Sequence, residues 1–516
     1  MTADRRIFLN VVATYGRSLL AMFCGVFTSR WALLSLGESD YGLFGVVGGL
    51  AVFVSFLNNL FGASAARYFA YYIGHDAQGG DSSREECRQW FSVAVLIHAV
   101  LSVALIVIGY PIGVLAIRGF LTIPVDRVDS CITVFRWVSL SCFVGMVSVP
   151  FSAMYTAKQY IAELTAYSVL SILVNISALY WMVTHVGDWL VFYAVITCIC
   201  GVLPNVLIML RARIVISECR FCLASSLDWT KIRELIKFTG WNFFGGLGYL
   251  LRGQGIAILV NKYFGPSVNA SMTISNTVNA QAANLSQAMT GAFMPAITTA
   301  CGKGDLVEMR KLTFRACKFG MILVLIFMIP LALELQYVLE LWLKTPPPYL
   351  HGLCLCMMVL LLSEKSTIGH GTAIHAMGKI SLYQTCFGSA LLMTLPLAWI
   401  CVVIFDSPYA VVVGMTGAMI MASLVRVVLA RRFVGLSIRH WTWRIIVPVL
   451  GATTISVAVG LLVQVLMPSS LMRVVVAAVS TNAVFVPLVV LMLDVEERAY
   501  VRGMFRKVLR CIPWVS

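Results

Sequence analysis

Charge is what this chain has least of. Aspartate and glutamate number 23 in 516 residues, and charged residues of all kinds make up 12%. A soluble globular domain carries about 25% charged residues, so that class is excluded. Long polar connections are lacking too. The only ones of any length, 74–88 and 212–235, are too short to hide a catalytic domain. No A-x-A cleavage site follows DRRIFLN at 4–10, so this stretch, which looks like a twin-arginine export signal, reads as the uncleaved start of a first span. The 15 cysteines lie mostly in apolar segments with no Cys and His cluster at metal-ligand spacing. They read as small buried hydrophobes, and neither a metal nor a cofactor is expected.

Apolar length is what the chain has in excess: 60% of its residues are hydrophobic and the mean hydropathy is +0.89. A membrane-crossing helix needs about 20 mainly apolar residues. Fourteen stretches qualify: 7–36, 41–73, 89–117, 129–157, 161–185, 188–211, 236–263, 268–300, 313–341, 350–377, 380–405, 408–430, 445–467 and 472–493. The expected fold is an all-α polytopic membrane protein. With the N-terminus in the cytoplasm, 26 of the 38 Lys and Arg fall in cytoplasmic loops, adjoining helix ends and tails. Five (Arg118, Arg127, Lys262, Lys344 and Arg473) fall outside, and seven lie within spans. The net charge of +15 therefore reports topology, with both termini cytoplasmic, and not nucleic acid.

An internal repeat organises these spans. LGESDYG after the first span matches FGPSVNA after the seventh, setting Gly37 against Gly265. GGDSSREECRQW matches KGDLVEMRKL, setting Asp81 against Asp305, and YTAKQY matches HAMGKI, setting Lys158 against Lys379. The offsets of 228, 224 and 221 residues imply two parallel six-helix bundles. The expected domains are a first bundle at 1–211, a cytoplasmic linker at 212–235, a second bundle at 236–434, two extra spans within 435–495 and a basic tail at 496–516. The linker reads either as an interfacial segment or as a plain polar connection. The tail is expected to lie on anionic lipid.

Ionisable groups inside a membrane pair with one another or line a wet cavity. Seven cations sit within spans: Arg17, Arg30, Arg67, Arg136, Arg252, Lys365 and Arg426. The acids there are chiefly Glu364, with Glu334 and Glu340 toward the outer end of the ninth span. Cations outnumber anions, which points to an anionic ligand. Arg252 lies 13 residues before Gly265, about 20 Å along a helix and so near mid-membrane. Its flanking Gly253 and Gly255 loosen the helix and admit a ligand to the backbone; a structural helix pair is the alternative. Arg17 occupies the first helix of the other bundle, so the two arginines are expected to face each other across a pseudo-two-fold axis. Lys365 and Arg67 rank second; Arg67 and Arg30, near span ends, read either as functional or as snorkelling side chains, while Arg136 and Arg426 read as side chains snorkelling to a surface. Asn242, Gln254, Asn261, Asn276, Asn279 and Gln281 could bind sugar hydroxyls or join helices. His98, His370 and His375 read as packing residues. Glu364 is the candidate for a coupling ion.

SRWALLSLGESDYGLFGVVGGL, FLNNLFGASAARYFAYYIG, FTGWNFFGGLGYLLRGQGIAILVNKYFGPSVNA and LELWLKTPPPY closely resemble bacterial polysaccharide-export flippases. These form the O-antigen (Wzx-type) branch of the multidrug/oligosaccharidyl-lipid/polysaccharide (MOP) exporter superfamily. The resemblance covers about residues 5–435. It implies two six-helix bundles alternating between inward- and outward-open states, and a cationic cavity for a polyprenyl-diphosphate-linked oligosaccharide.

The expectation is an inner-membrane flippase serving surface polysaccharide assembly, not an enzyme. Arg17 and Arg252 would hold the diphosphate, seconded by Lys365 and Arg67, while Gln254, Asn242 and Asn276 would meet the sugars. Its partners would be the lipid-linked oligosaccharide, membrane lipid and other polysaccharide-assembly proteins. A cation-coupled multidrug exporter needs a buried carboxylate, yet the first span has no acid beyond Asp4. A glycan polymerase or ligase needs a substantial outer loop, and the longest here, about 118–128, is short.

Overall fold

A computed structural model describes residues 3–76, 81–158, 160–222, 228–494 and 496–498. Among them the regular structure is helical throughout, without strands. Among the described residues ten helices are long and apolar enough to cross a membrane, which makes this a multi-pass membrane protein. The other four stretches expected to cross fall on helices α1 (Ala3–Val47), α2 (Gly49–Asp76), α8 (Trp229–Leu250) and α9 (Ile256–Gly302). Between α2 and α8 lie α3 (Asp81–Ala104), α4 (Tyr110–Gly119), α5 (Val128–Ala157), α6 (Ile161–Thr184) and α7 (Leu190–Val215). Most of the expected tail lies outside the described residues.

Several apolar runs that read as continuous are broken. Gly48 is a turn between α1 and α2. The run 350–377 parts into α12 (Leu350–Lys365) and α13 (Ile368–Ala376). The run 380–405 parts at Met393 into α14 (Ile380–Leu392) and α15 (Thr394–Phe405). Pro396, in the first turn of α15, has no N–H for the carbonyl four residues earlier, which explains the second break.

The contacts divide the chain into two compact units, Met1–Ile274 with Pro347–Leu350, and Ser275–Pro346 with His351–Ser516. In the first unit the matched glycines share one backbone conformation. Gly37 has φ 76° and ψ 172°, and Gly265 has φ 82° and ψ −179°, a region open essentially to glycine alone. The segments after them meet at matched positions. Ser267 Oγ donates to Glu38 at 2.7 Å and Asn269 Nδ2 to the Gly42 carbonyl at 2.9 Å. The Pro266 carbonyl occupies the space a Cβ on Gly42 would need. Residues some 228 positions apart touching one another is the signature of a local two-fold relation.

The linker is more than a plain connection. Ile216, Cys219 and Leu235 bury themselves in the core built by Phe69, Phe91, Phe151 and Met154. Burial pushes the Cys219 thiol up to about 12, so it packs as an inert hydrophobe. Beside it Lys158 Nζ donates to both oxygens of the buried Glu218, at 2.7 and 2.8 Å. Burial alone would raise the Glu218 carboxyl, but the Lys158 bond and charge prevail and hold it below the ordinary range.

In the second unit, α19 (Leu471–Leu491), which follows α18 (Val447–Leu466), has ion pairs near its start and just past its end that fasten it to the C-terminal end and the middle of α10 (Leu306–Leu333). Lys318 Nζ meets Glu497 at 2.8 Å, and Arg473 Nη2 meets Glu334, itself 1% exposed, at 2.9 Å. Lys318 and Glu334 are separated by 16 residues, about 24 Å of helix, so the two ion pairs straddle most of a hydrocarbon layer.

Candidate functional site

Arg252 sits on a π-helical turn, Leu251–Gly255, between α8 and α9. Such a turn holds one residue more than an α-helical turn, and two glycines in five residues suit the distortion. The arginine side chain is half-buried. Gly253 beside it is exposed, and a Cβ there would meet nothing within 4 Å, so packing does not account for the glycine. Gln254 is held differently: its amide fills the space a Cβ on Gly49 would need. Along the same contact the Phe56 ring lies against Gly246 and at 6.0 Å from Phe243. Glycines at 49 and 246 thus bring α2 against the arginine-bearing segment.

Arg17 belongs to the same compact unit and is also half-buried. It too adjoins an exposed glycine, here the preceding Gly16, with open space where a Cβ would be. Arg67 and Asn242 lie on helices, but their side chains are outside the described residues. Asn276 is exposed in the second unit. Asn261 is a joining residue: its Oδ1 accepts from the Thr122 N–H at 3.0 Å.

Lys365 and Glu364 close α12 at its break; Lys365 is 3% exposed and Glu364 half-buried. The expectation that Arg426 snorkels to a surface is corrected here, for it is 4% exposed. It donates to the Glu364 carbonyl and the Thr367 hydroxyl, both at 3.4 Å, and to the Tyr383 hydroxyl at 3.0 Å. Its guanidinium carbon lies 4.2 Å from the Phe387 ring centroid. A helix ending inside a membrane leaves carbonyls without N–H partners, and a cation at its C-terminus serves them. Glu334 is taken by Arg473, which removes it from the acids available to a transported ion. Elsewhere Arg127 pairs with Asp188 at 2.5 Å and with Asp40 of α1 at 3.3 Å. Burial keeps the Asp40 carboxyl above its ordinary range although Arg127 opposes this.

Sequence reasoning missed one polar region. Asn58, Asn59 and Asn205 line a cavity of about 550 Å³ among α2, α5 and α7 in the first unit. Its only advance signal is the Asn58–Asn59 pair inside an apolar run.

No family model and no curated protein matches the chain. Solved structures do match. The lipid II flippase MurJ in its inward closed conformation aligns with a TM-score of 0.67 at 12% identity, over 94% of this chain and 98% of that one. An inward-facing multidrug resistance MATE transporter of the MOP superfamily aligns at 0.63 and 13%, over 84% and 98%. The MATE multidrug transporter DinF-BH in complex with R6G aligns at 0.58 and 14%, over 84% and 96%. This chain has the fold of the MOP transporters. The all-α membrane fold expected from sequence is borne out; identities this low speak to fold alone.

Proposed function

We propose that the protein is an alternating-access flippase. It would move a polyprenyl-diphosphate-linked oligosaccharide from the cytoplasmic to the outer leaflet of a bacterial inner membrane, for surface polysaccharide assembly. Both termini face the cytoplasm in this reading. The observation that carries it is the pairing of a half-buried arginine with an open glycine at both Gly16–Arg17 and Gly253–Arg252. A guanidinium beside exposed backbone suits a diphosphate, because its planar fork donates two parallel hydrogen bonds to phosphate oxygens. Lys365 and Arg67 are second-rank partners, and Gln254, Asn242 and Asn276 are sugar contacts. No bond is made or broken, and Glu364 remains the candidate for ion coupling. The likeness to MurJ, a lipid II flippase by its title, supports a lipid-linked cargo.

Complementation of a flippase-null strain tests the reading. Arg252→Ala abolishes glycan export at near-normal abundance, Arg252→Lys retains part of it, and the Arg17→Ala double mutant is no worse than either single. Full export by Arg252→Ala would make the arginine structural. A multidrug exporter is the second reading, favoured by the likeness to DinF-BH. Mass spectrometry of the co-purified lipid separates the two: a prenyl diphosphate glycolipid supports the flippase, and its absence together with export of a cationic dye supports the exporter.

A further inference from the structure

The cavity in the first unit has no charged side chain among its described lining residues. Its volume of about 550 Å³ far exceeds a metal ion and falls within the ligand-pocket range of about 300–1,000 Å³. Its polar groups lie well inside the apolar helices. Ser148 Oγ donates to Asn205 Oδ1 at 2.6 Å, and Asn205 Nδ2 donates to the Gly201 carbonyl at 2.7 Å, so the amide is held in place. Ser152 Oγ donates to the Val149 carbonyl at 2.9 Å, so what this lining hydroxyl has left to offer is acceptor capacity. Asn58 Oδ1 is buried and has no hydrogen-bond partner. An orphaned acceptor at this depth is costly unless something donates to it.

From this donor–acceptor balance we infer that the cavity is a binding subsite for the uncharged, hydroxyl-bearing sugar portion of the cargo, separate from the residues that hold the diphosphate. Sugar hydroxyls donate, and the cavity offers acceptors. A phosphate only accepts and finds no cation among the described lining residues; an organic cation finds no carboxylate among them. Gly145 gives the guest room between the two amides, for a Cβ there would stand 3.7 Å from Asn58 Nδ2 and 3.9 Å from Asn205 Nδ2. Leucine at 145 fills that space. The inference rests on the flippase reading in one respect, that the cargo carries sugar.

The test measures binding to the full chain in lipid nanodiscs with three probes: farnesyl diphosphate, the same lipid bearing a di-N-acetylglucosaminyl unit, and that free disaccharide. In the unmodified protein the sugar tightens binding over the bare lipid. Asn58→Leu removes about tenfold of that gain and Gly145→Leu nearly all of it, while the bare lipid binds within about twofold of normal. Asn58→Leu leaves the ligand-free melting temperature unchanged or raised, since it removes an unsatisfied acceptor. No sugar gain in the unmodified protein, or an undiminished gain in both variants, overturns the subsite and leaves the flippase reading standing. Failure of farnesyl diphosphate to bind overturns the flippase reading instead. In that case the free disaccharide decides: binding lost in Gly145→Leu supports the subsite, and binding unaffected or absent overturns it.

Discussion

Asn205 and Arg426 stand 221 residues apart, the offset that also relates Lys158 to Lys379. In the first half Asn205 bonds Ser148 and borders an open cavity. In the second half Arg426 is enclosed by Tyr383, Phe387 and the broken end of α12. The neighbours follow suit, for the same offset from Tyr383 and Phe387 falls on Ala162 and Ala166. Rings and a guanidinium fill one place where small residues stand in the other. The matched lysines diverge as well: Lys158 locks the buried Glu218, while Lys379 is exposed. Two copies of one backbone have thus been specialised by side-chain volume and charge, one half keeping neutral space and the other using a cation to mend a discontinuous helix.

The largest expected effect tests the mended helix. Arg426→Ala leaves a carbonyl and two hydroxyls without their donor and opens a void beside Phe387, destabilising the second unit by about 4 kcal/mol. Thermal unfolding in detergent reads this, and a loss below about 1 kcal/mol would break the contrast with Asn205. Next comes Lys158→Ala, which strands Glu218 in the core and costs about 3 kcal/mol. Because the folded state holds the Glu218 carboxyl below its ordinary 4.5, its contribution is complete above that value. It fades as pH falls through the depressed folded value. Melting temperatures of wild type and variant therefore converge in acid, and parallel curves would refute the ion pair's role. Gly37→Ala and Gly265→Ala are each expected to cost about 2 kcal/mol, because both force a side chain into a glycine region. Equal losses sharpen the two-fold relation; a gap above about 1 kcal/mol breaks it. The smallest effect is Lys379→Ala, within about 0.5 kcal/mol of wild type in the same melts.

The membrane class was legible because it rests on composition, and the repeat because Gly37 and Gly265 each stand at the end of a span in similar surroundings. Arg426 was not legible. Its distance from a span end looks the same whether it reaches for water or for Glu364, and its partners lie 43 to 62 residues away in sequence. The breaks at Ser366–Thr367 and Met393 were missed because neither carries a glycine, and Pro396 lies past its break. Of the candidate site, the glycines beside Arg17 and Arg252 could be read directly, but the closeness of Gln254 to Gly49 could not, being set by how α2 packs. Asn58 and Asn205 stand on separate apolar helices, and only the fold brings them to one cavity.

The π turn at Leu251–Gly255 also has a meaning in counted residues. Removing one residue from it would let the α-helical pattern run through, but would turn everything before it by about 100° against everything after. Gly246 would leave the Phe56 ring, or else Asn261 would leave Thr122; the helix could not keep both. The surplus residue therefore acts as a phase correction between two contacts on one rod. A single-codon deletion here would be far more damaging to the fold than a substitution at any of the five positions, and length, as much as composition, is under constraint where the arginine sits.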